Sequence, residues 1–144
     1  GTIEFNNCRI PLNCLVGNEN EGYRLIKTAL NEGRLSLSAV AVGIAQRALE
    51  LAIAYSSSTS QYGRSLSTYQ GISFKIADIY TRITAARNML YHVASMCDQN
   101  MPYTTEVAAL KLFSTEICCE VCKDAQRDSV RISRLSGACA TPTC

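Results

Sequence analysis

Cysteines are the first candidates for ligand chemistry in this chain, because three of them fall within five positions. The segment Cys118-Cys119-Glu120-Val121-Cys122 contains one Cys-x-x-Cys step, a spacing found in zinc sites. Structural zinc takes four ligands, so a second pair must follow at suitable spacing. No second Cys-x-x-Cys occurs, and the only histidine, His92, lies in another apolar segment. The pattern therefore favours cysteines packed in a core, and we predict no bound metal.

Other catalytic patterns are missing. His92 is a conceivable general base, but it follows Tyr91 in a long helical segment, where a surface histidine is the ordinary interpretation. The chain has no G-x-S-x-G elbow and no P-loop or other glycine-rich phosphate loop. Basic residues between positions 123 and 134 are interleaved with two aspartates, as on a solvated helix face. The residues by themselves therefore predict a fold without an assembled active site.

Length and charge are typical of a single globular domain. The chain has 144 residues, of which 47% are hydrophobic, and a net charge of only +2. This composition suffices for a buried core and has no electrostatic footprint for nucleic acid, so we expect no nucleic-acid partner. No uninterrupted apolar run approaches the ~18 residues of a membrane span, so none is predicted.

Eight cysteines are many for this length. A secreted disulfide framework is one interpretation, but such frameworks serve small chains with thin cores. Here several cysteines lie inside long apolar periodic stretches, where a free cysteine behaves as a small buried hydrophobe. A reduced intracellular compartment is the favoured interpretation. The cysteines concerned are Cys97, Cys118, Cys119 and Cys122.

Three segments have the period of amphipathic helices. The first is predicted to start near Asn18, where Glu21 completes a capping-box pattern, and to end in the serine-rich run 56–60. The second spans about residues 68–98, and the third starts near residue 105. The predicted inward face of the first helix consists of Leu37, Val40, Ala41, Ile44, Ala48, Leu51 and Tyr55. That of the second helix consists of Tyr69, Ile72, Ile76, Ile79, Ile83, Ala86, Leu90, Val93 and Cys97. That of the third helix consists of Val107, Leu110, Ser114, Ile117, Val121 and Ala125.

These elements predict an all-α fold, an antiparallel up-and-down helical bundle preceded by a short strand over residues 2–5. Residues 1–17 are assigned to the strand and a connector, residues 18–126 to the bundle, and residues 127–144 to a divergent tail. Three helices of this length leave apolar surface unburied, so we expect a fourth partner.

Several short motifs, read in order, resemble the acyl-CoA dehydrogenase family. No single motif is specific, but their order over residues 3–126 is. The resemblance covers the last third of a complete member, its carboxyl-terminal helical domain. The motifs are residues 3–11, like the exit from the family's middle β-domain; Leu15-Val16-Gly17 with Glu21-Gly22-Tyr23, like its lead-in to the first bundle helix; Leu30-Asn31-Glu32-Gly33-Arg34, like L-D-x-x-R; residues 43–50; Tyr62-Gly63; Gln70-Gly71-Ile72; residues 75–78; and Ala109 with residues 111–113.

The resemblance implies α,β-desaturation of an acyl-CoA thioester, in which a glutamate removes the α-proton and the β-hydride passes to N5 of FAD. Asn31 and Arg34 are implied to contact the acyl-CoA, and a fixed cation suits its phosphates. Position 62 is implied to lie beside the flavin, where the family usually has phenylalanine. The implied FAD-binding residues are Thr59, Ser60, Gln61, Tyr62, Tyr69 and Gln70.

Departures from the family pattern predict that this chain alone is inactive. Thr59 stands where arginine is usual, which removes a charge-assisted bond to the FAD pyrophosphate. Gly33 occupies the position where some subfamilies carry the catalytic glutamate. Glu32 is adjacent, but one residue turns a helical side chain by about 100°. After Gln126 the glycine-rich FAD segment and the later base do not follow, so no catalytic residue is assigned.

The partners implied by the resemblance are acyl-CoA, an electron-transfer flavoprotein as acceptor, and further copies in a dimer or tetramer. The implied location is the mitochondrial matrix in a eukaryote or the cytoplasm in a bacterium. Two alternatives remain open, a non-catalytic helical oligomerisation module and a fragment of an acyl-CoA oxidase-like enzyme.

Overall fold

The structure, a computed structural model, describes residues 1–135 and their side chains as far as Gln126. Its main elements are three helices, α1 (Gly22–Ser58), α2 (Gln70–Asp98) and α3 (Thr104–Leu135). Strands β1 (Ser60–Gln61) and β2 (Arg64–Ser65) form an antiparallel hairpin that, with a 3₁₀ turn (Leu66–Thr68), connects α1 to α2. A further 3₁₀ turn, Leu12–Cys14, precedes α1. The predicted helical bundle is confirmed.

The helix directions follow from contacts at both ends of the bundle. Asn31 and Thr104 join the beginning of α1 to the beginning of α3 through a 3.0 Å hydrogen bond. Tyr55, near the end of α1, and Cys122, in the second half of α3, line one cleft. Helices α1 and α3 therefore run parallel and in direct contact, and α2 runs in the opposite direction, which gives an up-down-up order.

Buried side chains form two clusters. The larger cluster joins all three helices, and the smaller one lies near the connection between α2 and α3. The larger comprises Val42, Ala45, Leu49, Ile79, Ile83, Ala86, Ile117 and Val121, and the smaller comprises Val93, Val107 and Leu110.

The predicted inward faces of α2 and α3 are confirmed, and so are Ala41 and Ala48 of the face predicted for α1, but its large side chains Leu37, Val40, Ile44 and Leu51 are about half exposed, so that face is wrong by about one residue at those positions. Leu37 and Val40 are about half exposed, whereas Ser38, Ala45 and Leu49 are buried. One residue corresponds to a rotation of about 100°. The physical reason is the contact with α3, the most extensive helix pairing, which small side chains on α1 allow to be close. The rotation exposes an apolar row, here called the outer stripe, consisting of Ile26, Leu30, Leu37, Val40, Ile44 and Leu51.

Polar side chains link the helices at the surface. Arg82 of α2 bonds Glu120 of α3 at 2.8 Å, and Arg87 of α2 donates to Gln46 of α1 at 2.8 Å. The exposed Arg82–Glu120 ion pair contributes little free energy of unfolding, so the apolar clusters carry most of the stability.

The amino-terminal predictions need correction. Residues 2–5 form no strand, because no strand of the described residues lies beside them to supply ladder hydrogen bonds. The first helix starts at Gly22 rather than near Asn18, since positive φ at Gly17 and Asn20 keeps residues 17–20 in turns. Asn18 does not cap the helix; its amide donates to the Glu21 carboxylate at 3.1 Å.

Helix α1 is long and apolar enough to cross a membrane by length and composition, with a mean hydropathy of 1.5 over 18 residues. This finding differs from the prediction of no membrane span, which counted only uninterrupted apolar runs. Ala45 and Leu49 of α1 are buried against α2 and α3, and Gln46 accepts a hydrogen bond from Arg87. We therefore interpret α1 as a helix of the bundle.

The corrected face of α1 predicts unequal costs for the same substitution. Leu49→Ala empties a fully buried site and should lower the free energy of unfolding by about 2–5 kcal/mol. Leu37→Ala removes a half-exposed side chain and should cost no more than about 0.5 kcal/mol. Urea denaturation of both variants measures the two changes in the free energy of unfolding. A larger loss for Leu37→Ala than for Leu49→Ala would show that the originally predicted face of α1 is correct.

Candidate functional site

The residues that the resemblance assigns to FAD lie on the connection between α1 and α2. Within it, Ser60 pairs with Ser65 and Gln61 pairs with Arg64. The two residues of the turn, Tyr62 and Gly63, have φ values of +51° and +75°. Tight two-residue hairpin loops favour positive φ at both central positions, which glycine adopts easily and tyrosine does not. The hairpin tip therefore holds Tyr62 outward, with 90% of the residue exposed.

Hydrogen bonds fasten this hairpin to both neighbouring helices. The Tyr69 hydroxyl donates to the Gln61 carbonyl at 2.8 Å, which ties the start of α2 to β1. The Leu66 N–H donates to the Thr59 carbonyl at 3.0 Å, and the Ser65 hydroxyl donates to the Ser56 carbonyl at 3.0 Å. Because the Leu66 side chain is buried beneath these bonds, the hairpin has a fixed position at this end of the bundle.

The structure brings all the predicted FAD residues into one surface region. Thr59, Gln61 and Tyr69 are half-buried, while Ser60, Tyr62 and Gln70 are exposed. Thr59 follows the last residue of α1 and donates its backbone N–H to the Tyr55 carbonyl at 3.0 Å. The region thus offers an exposed ring, an amide and a hydroxyl, but no guanidinium at position 59.

Arg64 is a hairpin residue that the sequence reasoning missed. It is paired with Gln61, and Leu66 bonds Thr59, so Arg64 is the diagonal cross-strand neighbour of Thr59. Diagonal neighbours on one face lie about 7–8 Å apart, within reach of a long side chain. In the sequence, the glycine within Gln61-Tyr62-Gly63-Arg64 is the signal that could have predicted a hairpin here, and with it the position of Arg64.

The two residues that the resemblance assigns to acyl-CoA lie in contact with each other. Asn31 is only 7% exposed, and both ends of its amide are used. Its Nδ2 donates to Thr104 Oγ1 at 3.0 Å, and its Oδ1 accepts from Arg34 Nη1 at 3.2 Å. The neutral amide thus positions the guanidinium without neutralising it. Thr104, which the sequence reasoning did not single out, connects this pair to α3.

The two groups of predicted residues are far apart. Asn31 and Thr59 are separated by about 42 Å along the axis of α1, at 1.5 Å per residue. Glu32 is exposed on α1, and a Cβ at Gly33 would meet no atom within 4 Å. The described side chains therefore do not assemble a base and a cofactor site in one place.

The metal interpretation receives no support from the described side chains. They include no group of three or more histidine, cysteine or acidic residues that could hold an ion. His92 is exposed on α2. The cysteines at positions 8, 14, 97, 118, 119 and 122 are free. The basic positions from 127 onward and the tail to residue 144 lie outside the described side chains.

An apolar cleft of about 730 Å³ opens between the end of α1, the start of α2 and the second half of α3. Tyr55, Ile72, Ile76 and Cys122 are among the residues that line it. None of the predicted site residues lines it, but the cleft adjoins the hairpin, because Ser56 lines the cleft and accepts the hydrogen bond from Ser65.

Comparison with known proteins identifies the family. The family model described as acyl-CoA dehydrogenase, C-terminal domain, matches residues 20–127. The chain belongs to this family. It is similar to an acyl-CoA dehydrogenase of Bacillus subtilis, with 37% identity over 121 residues, which are 84% of this chain and 32% of the relative. The chain therefore spans about a third of the length of the curated relatives it matches.

Solved structures of the family have the same fold. Butyryl-CoA dehydrogenase from Megasphaera elsdenii matches with a TM-score of 0.78 and 34% identity, over 81% of this chain and 30% of that chain. A chain from a structure of the Acidaminococcus fermentans electron transferring flavoprotein matches with a TM-score of 0.79 and 39% identity, over 84% and 32%. An FAD complex, that of PigA, also matches, with a TM-score of 0.78, 29% identity and coverage of 84% and 32%. The resemblance and FAD as the family's cofactor are confirmed, while the roles of individual residues stay predictions.

The fastened hairpin generates a testable expectation. Tyr69→Phe removes the hydroxyl that bonds the Gln61 carbonyl, and should lower the free energy of unfolding by about 0.5–1.5 kcal/mol. Amide hydrogen exchange should accelerate at residues 60–66, measured by mass spectrometry. Tyr80→Phe, an exposed tyrosine of α2, is the matched control. Equal exchange in the two variants would show that the hydroxyl does not hold the hairpin.

Proposed function

We propose that this chain is the helical domain of an FAD-dependent acyl-CoA dehydrogenase, which desaturates acyl-CoA thioesters between the α and β carbons. The observation that carries the proposal is the family match over residues 20–127, on a fold shared with butyryl-CoA dehydrogenase. Residues 18–126 are the proposed domain, residues 1–17 the proposed end of the family's middle β-domain with a connector, and residues 127–144 a proposed divergent tail. Helix α3 continues from Thr104 to Leu135, past the proposed boundary at 126.

On the cofactor side, we propose that the hairpin contacts FAD, which supplies the hydride acceptor when bound. Tyr62 would place its exposed ring against a planar group of the ligand, and Gln61, Tyr69 and Gln70 would supply polar contacts. Arg64 would provide the cation that Thr59 does not, because it is the diagonal neighbour of that position. A guanidinium suits a pyrophosphate because it donates two parallel hydrogen bonds.

On the substrate side, we propose that Arg34 binds an anionic part of acyl-CoA and that Asn31 is its positioning residue. Support comes from the hydrogen bond between them and from the burial of Asn31. A guanidinium held by a neutral amide keeps its full charge for a phosphate group. No residue of the described region is proposed as the base, since Glu32 is exposed and Gly33 has no side chain.

The experiment is a chimera in which residues 20–127 replace the matching segment of Megasphaera elsdenii butyryl-CoA dehydrogenase. We expect a yellow protein that reduces an artificial electron acceptor when butyryl-CoA is added. Arg34→Ala in the chimera should raise KM about tenfold or more, because a charged hydrogen bond is lost. Arg47→Ala is the matched control, since this cation of α1 pairs with Glu50 instead.

Further variants of the chimera separate the cofactor side from the substrate side. Arg64→Ala should weaken FAD retention, and adding Thr59→Arg should restore it. A folded chimera without flavin or activity, or equal effects at Arg34 and Arg47, would contradict the proposal. The 144-residue chain alone should stay colourless with FAD and acyl-CoA after desalting. Acceptor reduction by that chain, abolished by Glu32→Gln, would show that it contains a complete site.

The proposed partners are an electron-transfer flavoprotein and further copies of the chain, in a dimer or tetramer. A relative named as the CarC subunit of a caffeyl-CoA reductase–Etf complex in Acetobacterium woodii, 33% identical, supports the first. The outer stripe of α1 supports self-association, because a large exposed apolar patch favours burial against another surface. The named relatives are bacterial, which favours the cytoplasm over the mitochondrial matrix.

Self-association through the outer stripe has a direct test. Val40→Asp places a charge at the middle of the stripe and should shift the chain towards monomer in sedimentation velocity. Leu112→Asp adds the same charge at an exposed apolar position of α3 and should leave the distribution unchanged. If the wild-type chain stays monomeric at high concentration, the outer stripe does not mediate contacts between copies of the chain, and the proposal of self-association is wrong.

A further inference from the structure

Two cysteines of α3 occupy one side of the helix at the bundle surface. Cys118 and Cys122 are four residues apart, a spacing that places Cβ atoms about 5–6 Å from each other. Cys119 is turned away from Cys118 by about 100° and is exposed; since its three-residue spacing also places it near Cys122, burial rather than spacing distinguishes the Cys118–Cys122 pair. Cys118 and Cys122 are both half-buried, so they differ from Cys119 in surroundings as well as in direction.

The surroundings of this pair are apolar but open on one side. Cys118 packs against the larger core cluster. Cys122 lines the apolar cleft together with Leu51, Ile72 and Ile76. A small molecule that enters the cleft therefore meets a thiol at its wall and a second thiol one helical turn away.

The surroundings of Cys118 also change the acidity of its thiol. Burial raises the pKa of the Cys118 thiol, and the nearby Cys122 raises that pKa further through charge and a hydrogen bond. Cys118 therefore carries its proton at neutral pH, since even an unperturbed thiol has a pKa of about 8.5. Alkylating reagents, which need a thiolate, should react slowly with Cys118.

We propose that Cys118 and Cys122 form a dithiol site for trivalent organoarsenicals, with the organic group lying in the apolar cleft. The arsenic condenses with both thiols: each As–OH bond and each S–H bond breaks, an As–S bond forms, and one water leaves per thiol. Arsenic remains trivalent, so no oxidant or reductant takes part. This site is independent of the proposed dehydrogenase function.

The donor set explains why arsenic fits where zinc does not. Structural zinc needs four ligands, and the described side chains offer no group of three or more near this pair. An organoarsenical with two hydroxyls is satisfied by two thiols. Closing the second bond is intramolecular, so it should strengthen retention about 10²-fold or more over a single thiol.

The test uses phenylarsine oxide, which takes up one water in solution to give the form with two As–OH groups, and intact-protein mass spectrometry on the reduced chain. Cys139 and Cys144 are replaced by serine in every protein compared, so that the carboxyl-terminal thiols cannot contribute. We expect one phenylarsenic group per chain that survives excess glutathione and is removed by a small dithiol. The variant Cys119→Ser should keep this retention, while Cys118→Ser and Cys122→Ser should each lose it about 10²-fold.

The outcomes separate the proposed pair from the other thiols. Retention that persists in the Cys118→Ser/Cys122→Ser double variant, or is lost in Cys119→Ser, would overturn the proposal. No glutathione-resistant adduct on the starting protein would overturn it as well. Cys118→Ala, which adds no hydroxyl beside the core, repeats the measurement if the serine variant fails to fold by circular dichroism.

Discussion

The close parallel contact between α1 and α3 is the constraint on which the other features depend. Small side chains on α1, such as Ser38, Ala41 and Ala45, are buried at bundle-facing positions. A thin interface of this kind brings two helix backbones together and fixes the rotation of α1 about its axis. Asn31 and Thr104 fix the lengthwise register with one hydrogen bond. Larger apolar residues of α1 are then directed outward, which produces the outer stripe.

The contact between α1 and α3 determines the position of both parts of the candidate site, the hairpin and the Asn31–Arg34 pair. Arg34 is oriented by Asn31, whose other amide end bonds α3, so the α1–α3 register determines where the guanidinium lies. The hairpin follows directly from the last turn of α1, and Ser65 and Leu66 attach it there. A rotation of α1 would therefore displace the hairpin and the guanidinium together. The Cys118–Cys122 pair is on α3 and would keep its internal spacing.

The sequence was sufficient for the helices because their apolar period is long and regular. For α2 and α3, one face is apolar and the other charged, so Ile83 and Leu110 could be assigned to the core correctly. Helix α1 is apolar on more than one side, so its periodicity predicted a face that mixes buried alanines with large side chains that are in fact exposed, such as Leu37 and Ile44. Two helices can approach closely only where the side chains between them are small. This requirement depends on the partner helix and cannot be read from the sequence of one helix alone.

The same distinction applies to the short elements. Alternation at residues 2–5 resembles a strand, but a strand exists only with a neighbour. The 60–65 hairpin has almost no alternation and is held by side-chain bonds from Tyr69 and Ser65, which no local pattern encodes. The locations of Asn31, Arg34 and the FAD-side residues came from family motifs, whereas Thr104 and Arg64 emerged only from three-dimensional neighbours.

The left-handed backbone conformation of Tyr62 lowers the stability of the folded chain while the aromatic ring stays exposed at the hairpin tip. A non-glycine residue in this conformation costs roughly 1–2 kcal/mol, and glycine would remove most of that strain. With 90% of the residue exposed, little burial energy compensates. Selection for a more stable chain would thus replace this tyrosine with glycine and erase its aromatic surface. A thermostabilised version of this domain with glycine at position 62 would therefore lack the ring that we propose contacts FAD.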